Sequence, residues 1–251
     1  MTKFFIVGTP IGNFDDITLR AIETLKKVDI IACEDTRVTK NLLTHFSIYD
    51  KKLISYHKYN ETISSQKIID ILLNENKSVA LVSDAGMPTI SDPGFVLVES
   101  IKKHNISFEV IPGVSAITTI MAISGFGPDF TFLGFGKMKK SQLENQIKNL
   151  TEGTYLFFCA PNKMEFLIST IEKYHKDSSA LDLEHRNVVF LFISDDLCLD
   201  SHLLAVKPYR NRLIILDHVV IRYYIAVRGY YRARTRAYTR RGSCFYYDHR
   251  A

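Results

Sequence analysis

The sequence predicts an α/β fold built on a mostly parallel sheet. Short apolar runs alternate with segments of helical periodicity, at intervals that suit strand–helix–strand crossovers. Five of these runs end in polar or glycine-rich loops. In an open parallel sheet, loops that leave the carboxyl ends of strands lie on one edge and converge on one cleft.

The first strand is expected at Lys3–Val7, running into Gly8-Thr9-Pro10-Ile11-Gly12-Asn13. Asp15 or Asp16 is expected to cap a helix whose apolar positions Ile17, Leu19, Ile22, Leu25 and Val28 share one face. A second strand at Asp29–Cys33 ends in Glu34-Asp35-Thr36-Arg37, and a helix over about Val38–Phe46 follows. A third strand at Lys52–Ser55 ends in Tyr56-His57-Lys58-Tyr59-Asn60-Glu61, before a helix over about Ser64–Asn74.

The chain is organised around the next stretch, Val79–Gly94. Val79-Ala80-Leu81-Val82 reads as a buried strand, four apolar residues with turn signals on both sides. The loop after it holds two glycines, two prolines, two aspartates and two serines. Gly86 allows backbone geometry closed to other residues and lets a ligand approach the main chain. Pro88 and Pro93 fix φ and restrict the residues before them. A helix over about Gly94–Lys103 and a fifth strand at Ile106–Ile111 complete the first half, which ends in Pro112-Gly113-Val114-Ser115-Ala116.

The second half is expected to open with a helix at Ser115–Ser124 and a strand at Thr131–Gly134. A basic loop then leads to a polar helix at about Gln142–Leu150. Thr154–Cys159 is a strongly apolar strand, a helix runs from Ala160-Pro161-Asn162-Lys163 to about Tyr174, and Val188–Ile193 is a further strand. Periodicity is lost after about Pro208. Three segments are therefore expected: an N-terminal α/β domain over 1–112, a second over 113–206, and an atypical tail over 207–251.

Composition narrows the function classes. With 251 residues and 46% apolar content the chain can bury one large core or two small ones. No apolar run approaches the ~18 residues of a membrane span. The opening Met1-Thr2-Lys3-Phe4 enters a strand directly, so no signal peptide is expected. Cysteines at 33, 159, 198 and 244 form no CxxC pair, so neither a zinc site nor a disulfide framework is expected, and a reducing cytoplasm fits. Neither glycine loop reads GxGxxG or GxxxxGK[ST], which disfavours a dinucleotide or nucleoside triphosphate site.

The formal charge of +5 is unevenly spread: residues 207–251 carry net +9 and the rest net −4. Residues 1–206 contain three arginines, Arg20, Arg37 and Arg186, whereas the last 45 contain ten and a single lysine, Lys207. Paired tyrosines, Tyr223-Tyr224 and Tyr230-Tyr231, stand among them. Two readings are open: an RNA-binding arm in which arginine meets phosphate and tyrosine stacks on bases, or a change of reading frame after about residue 176. The second is preferred, because a wholesale switch from lysine to arginine needs a cause outside one domain's chemistry.

GTPIGNFDDITLRAIETLKKVDIIACEDTRVTKNLL, LISYHKYNE, VALVSDAGMPTISDPG and VIPGVSAITTIMAISGF stand in this order. Together they closely resemble the 16S ribosomal RNA cytidine 2′-O-ribose methyltransferases. That family is a branch of the tetrapyrrole-methylase-like, class III S-adenosylmethionine-dependent methyltransferases. The resemblance is dense over residues 4–135 and thinner to about 175. It implies two α/β domains with S-adenosylmethionine in the cleft between them, commonly a homodimer, acting on 16S rRNA in the decoding region of the small ribosomal subunit. Cofactor contacts are implied from Pro10, Asp84, Ala85, Gly86, Pro88, Ser115 and Ala116, with Cys159 and Ala160 beside the cofactor. Where the family has a YESPHR-like segment this chain reads Phe157-Phe158-Cys159-Ala160-Pro161-Asn162-Lys163, and the family's later ARELTK-like segment has no counterpart near residues 187–200.

Moving a methyl from a sulfonium to a ribose hydroxyl needs in-line positioning and a proton acceptor, and no metal. Backbone carbonyls of Asp84–Pro88 are suited to cradle the cation; Asp84 either serves the cofactor or braces its loop. Asp35, His57 and Glu61 are the candidate catalytic groups on the acceptor side, histidine being the side chain that titrates near neutrality; a lone loop histidine such as His57 reads equally well as a structural or RNA-contacting residue. Arg37 beside carboxylates also reads as a structural ion pair. Tyr56 and Tyr59 flank His57 and are expected to stack on a splayed base. Arg37, Asn60, Lys137, Lys139 and Lys140 complete the expected RNA contacts, the three lysines reading equally as a solvated loop. Two alternatives remain: a tetrapyrrole-precursor methyltransferase of the same fold, and a non-catalytic or degraded S-adenosylmethionine-binding copy.

Overall fold

A computed structural model describes residues 4–124, 128–136, 139–151, 153–159, 161–175, 188–194 and 214–217. The first half is a five-stranded parallel sheet. Its strands are β1 (Phe4–Val7), β2 (Ile30–Cys33), β3 (Lys52–Ser55), β4 (Val79–Leu81) and β5 (Phe108–Ile111), in the order β3-β2-β4-β1-β5. Ile30 faces Lys52 on one side and Val79 on the other, and Phe4 faces Val79 and Phe108. All four residues of β2 and all three of β4 are buried, as befits parallel strands covered on both faces.

Helices supply that cover. α3 (Glu61–Asn74) and α4 (Phe95–Lys103) pack Ile68, Ile69, Leu72, Leu97 and Ile101 against Phe4, Ile30, Ala32, Ile54 and Leu81. On the other face α1 (Leu19–Lys27) and α2 (Thr36–His45) pack Ala21, Leu25 and Leu43 against Val7, Ile31, Cys33, Ala80 and Val82. Fully burying one such Leu or Ile is worth about 1.5–3 kcal/mol.

The expected cap of the first helix is corrected. Asp15 and Asp16 lie inside a short 3₁₀ turn, Phe14–Asp16, whose cap is Asn13: its Oδ1 accepts the Asp15 N–H at 3.1 Å. α1 starts later, and Thr18 caps it by accepting the Ala21 N–H at 3.1 Å. A hydroxyl one residue before Leu19 suits the orphan amides of the first turn better than a carboxylate three residues upstream.

The second half begins with α5 (Ala116–Ser124). A second parallel sheet follows, β6 (Thr131–Phe132), β7 (Gly153–Cys159), β8 (Val188–Ser194) and β9 (Ile214–Asp217), in sequential order. α6 (Lys140–Lys148) and α7 (Pro161–Tyr174) bring Leu143, Ile147 and Leu167 against Tyr155, Phe157 and Cys159. β9 falls where the sequence showed no periodicity, because four apolar residues in succession, Leu213–Leu216, give no alternation to read. The rest of the 207–251 tail lies outside the described residues. Among those described, no helix is long and apolar enough to cross a membrane, and no group of three metal-binding side chains forms.

Candidate functional site

Four neighbouring strands, β2, β4, β1 and β5, release their loops along one edge. Backbone fastens three of those loops together. The Thr9 N–H donates to the Gly86 carbonyl at 2.9 Å, and the Gly86 N–H returns to the Thr9 carbonyl at 3.1 Å. The Thr9 hydroxyl donates to the carbonyls of Ser83 (3.1 Å) and Gly86 (3.3 Å). Gly8 and Gly113 cross so closely that a Cβ on Gly8 would lie 2.7 Å from Gly113 Cα and N and from Met87 Sδ. Gly8→Ala is therefore expected to destabilise the chain by about 1–3 kcal/mol through overpacking against backbone that cannot give way. Urea denaturation checks it, and an unchanged midpoint would mean that this crossing is loose.

The loop from Ser83 to Gly94 departs from ordinary backbone. Gly86 (φ +80°), Thr89 (+76°), Ser91 (+67°) and Gly94 (+138°) all take left-handed conformations. For a β-branched residue such as Thr89 that is a genuine outlier. Strain of this kind persists where the surroundings over-determine it, and it clusters at ligand sites. Ser91 also meets the second half: a Cβ on Gly134 would lie 3.3 Å from its Oγ.

The α-carbon of Gly86 opens on a gap in which an added Cβ would meet only Ile11 Cγ2 (3.4 Å) and the Val114 carbonyl (3.8 Å). α5 begins beside that gap, with Ser115 accepting the Thr119 N–H at 3.0 Å. First-turn amides of a helix are donors that suit an anionic group. Asp84, half-buried, lies two residues before Gly86. Burial is the main cause pushing its carboxyl above the ordinary carboxylate range, the Asp35 N–H bond opposes this, and the nearby Asp35 charge adds to it. Donors at a helix start, a carboxylate and open main chain fit a ligand that carries both a cation and a carboxylate, as S-adenosylmethionine does. Pro10 and Pro88 are buried within these loops, Ala85, Ser115 and Ala116 are half-buried, and Cys159 is buried at the end of β7. Ala160 lies outside the described residues.

On the neighbouring strand end, Asp35 donates its N–H to Asp84 Oδ1 at 3.0 Å. Its own carboxylate caps α2, accepting the Arg37 N–H at 2.8 Å, and takes the Arg37 guanidinium at Oδ1 (3.1 Å) and Oδ2 (2.6 Å). The Arg37 side chain first, then its amide, holds the Asp35 carboxyl down to about 2. The Arg37 side chain is nevertheless 88% exposed.

The turn after β3 has its own lock. The His57 N–H donates to Asn60 Oδ1 (2.8 Å), and the Asn60 amide donates to the Ser55 carbonyl (3.0 Å). The Tyr59 N–H donates to His57 Nδ1 at 3.3 Å, so Nδ1 acts as an acceptor and Nε2 is left as the ring's donor position. Tyr59 is 93% exposed and stands 6.1 Å from the His57 ring. The expectation for Tyr56 is corrected: it is 1% exposed, its hydroxyl sits 3.0 Å from Ser65 Oγ, and burial is the main cause raising it to about 12. A side chain so placed packs in the core and cannot stack on a base. Glu61 Oε1 accepts the Gly94 N–H at 2.8 Å and the Tyr56 hydroxyl at 3.4 Å. Lys139 and Lys140 are exposed at the start of α6, the Lys140 ammonium 5.1 Å from the Phe166 ring centre. Lys137 lies outside the described residues. Thr9, Gly113 and Gly94, which the sequence places in these loops without a role, are the residues that fasten the loops together.

Comparison with known proteins follows the same lines. The sequence pattern of the Tetrapyrrole (Corrin/Porphyrin) Methylases matches residues 3–191. The chain is 53% identical over 165 residues to a ribosomal RNA small subunit methyltransferase I of Mycoplasmopsis pulmonis, a match covering 65% of this chain and 73% of that protein. It is 46% identical over 170 residues to the protein so named in Mesomycoplasma conjunctivae, covering 67% and 71%. It is 46% identical over 177 residues to the one in Thermotoga maritima, covering 68% and 76%.

Proposed function

The chain belongs to the tetrapyrrole (corrin/porphyrin) methylase family and, within it, to the ribosomal RNA small subunit methyltransferase I group, and from that premise we infer an S-adenosylmethionine-dependent methyltransferase of 16S rRNA. The reaction we propose is methylation of a cytidine 2′-hydroxyl in the decoding region. The observation that carries this is the joining, along one sheet edge, of a strained glycine loop suited to the cofactor and an exposed Arg37–Tyr59 flank suited to RNA.

When bound, S-adenosylmethionine supplies a methyl group already activated on a sulfonium. Asp84, Ala85, Gly86, Pro88, Ser115, Ala116, Pro10 and Cys159 are the residues we propose to hold it. The ribose hydroxyl must then lie in line with that methyl and lose its proton. We assign the proton to Asp35. Its carboxylate is shared with Arg37 in the free protein and is released when the exposed guanidinium turns to an RNA phosphate, which competes for the same planar donors. His57 offers an Nε2–H donor to the acceptor nucleotide, Tyr59 a face for an unstacked base, and Lys139 and Lys140 charge for the backbone. Asn60 serves by holding the His57 turn.

The assembly we propose is a cytoplasmic homodimer that meets its rRNA within the small ribosomal subunit. Tritiated-methyl transfer from S-adenosylmethionine to undermethylated small subunits, beside a tetrapyrrole precursor as control, tests the function. Label in the rRNA alone supports it; label in the tetrapyrrole alone overturns it.

For the Arg- and Tyr-rich tail we propose a change of reading frame after about residue 176. The support is the switch from lysine to arginine usage together with the missing ARELTK-like segment. The coding DNA read in another frame is expected to restore family-like sequence. An intact frame with no such alternative would leave the RNA-binding arm, whose deletion should weaken RNA affinity and lessen its salt dependence.

A further inference from the structure

We propose that Glu61 is a positioning residue: its carboxylate locks the far end of the cofactor loop and ties it to the turn that faces the acceptor. The proposal rests on the functional reading above and names the device that joins its two halves.

Gly94 occupies the capping position of α4, with φ +138°. A Cβ there would lie 2.9 Å from both Leu81 Cδ2 and Thr89 Cγ2, so no other residue fits. Glycine has no side chain to hold its own helix start. Glu61 supplies the missing acceptor from another helix, Oε1 taking the Gly94 N–H at 2.8 Å. In a capping box a glutamate at the third position reaches back to the same amide within one helix; here the glutamate opens α3 and reaches across 33 residues.

The same oxygen accepts the hydroxyl of Tyr56, the residue before His57. Tyr56 is buried and also bonded to Ser65 on α3, so it cannot move without moving α3 and the turn that carries His57 and Tyr59. One carboxylate oxygen therefore touches the base of the acceptor turn and the end of the strained loop. The loop is pinned elsewhere by Thr9 at Gly86 and by the Asp35 amide at Asp84. Glu61 is the pin at its exit into α4.

This role needs an oxygen that accepts hydrogen bonds and does not need one that takes a proton. Glutamine retains such an oxygen and alanine does not. In the full-length chain, Glu61→Ala is expected to raise amide exchange across residues 84–96 by about tenfold and to weaken S-adenosylhomocysteine binding by about the same factor. Its KM for S-adenosylmethionine should rise while kcat at saturation stays within about threefold of the wild type. Glu61→Gln should match the wild type in exchange, titration and the pH profile of transfer.

A general base would behave in the opposite way. If Glu61→Gln abolishes transfer or removes a limb of the pH profile while titration stays normal, Glu61 takes a proton and the proposal is overturned. Equal exchange in all three proteins also overturns it, whatever the activity. Failure of the wild type to bind S-adenosylhomocysteine refutes the functional reading and the coupling together. Amide exchange, which needs no ligand, then still reports whether the lock exists.

Discussion

Asp35→Asn is expected to lower methyl transfer by about 10²–10⁴-fold, the usual cost of losing a general base, while S-adenosylhomocysteine binding stays within about threefold. The substitution is a narrow one. Asparagine caps helices as well as aspartate does, so the start of α2 at Thr36 keeps its Arg37 amide bond. The backbone N–H that reaches Asp84 is untouched. What is lost is an anionic oxygen able to take the hydroxyl proton, together with the ion pair to Arg37. That pair lies at the surface, with Arg37 88% exposed, and surface ion pairs contribute little to stability, so thermal midpoints should hardly move. Single-turnover transfer on the variant measures the effect. Near-normal rates would remove Asp35 from the chemistry, and a parallel loss of titration heat would make it a brace for the Asp84 loop.

Gly86→Val is expected to weaken S-adenosylhomocysteine binding at least tenfold, or about 1.4 kcal/mol. Two costs add. A β-branched residue is strongly disfavoured at φ +80°, and its methyls would enter the gap between Ile11 and the Val114 carbonyl proposed for the cofactor. The Thr9 bridge holds the residue from the other side, so the loop cannot rotate away without breaking two backbone hydrogen bonds. The five-stranded sheet lies behind this bridge and should keep its circular dichroism. Calorimetric titration decides the point; an unchanged affinity would take the Ser83–Gly94 loop out of the cofactor site.

Much of this was legible in the sequence because it is local. The strands at Ile30–Cys33 and Val79–Leu81 announce themselves as short apolar runs that stop at polar loops. The glycines and prolines of Ser83–Gly94 signal a backbone under constraint before any geometry is known. The burial of Tyr56 has a local signal: pleated strands alternate at period two, so a residue two beyond buried Ile54 turns inward as well. The order β3-β2-β4-β1-β5 was not legible, since pairing β1 with β4 joins residues 75 apart with nothing local to mark it. The Thr9–Gly86 bridge, the Gly8–Gly113 crossing and the Glu61–Gly94 bond fall in the same class. Each depends on which strand ends become neighbours, and that follows from how the whole sheet packs.

Whether this chain moves a methyl group onto a ribose hydroxyl of 16S rRNA is decided by nucleoside analysis: undermethylated small subunits are incubated with the full-length protein and S-adenosylmethionine, and the 16S rRNA is digested and resolved by mass. One new 2′-O-methylcytidine per subunit is expected, formed about 10²–10⁴-fold more slowly when Asp35→Asn replaces the wild type. A methyl group on a base, or no new methylated nucleoside from a protein that binds S-adenosylhomocysteine, would contradict it.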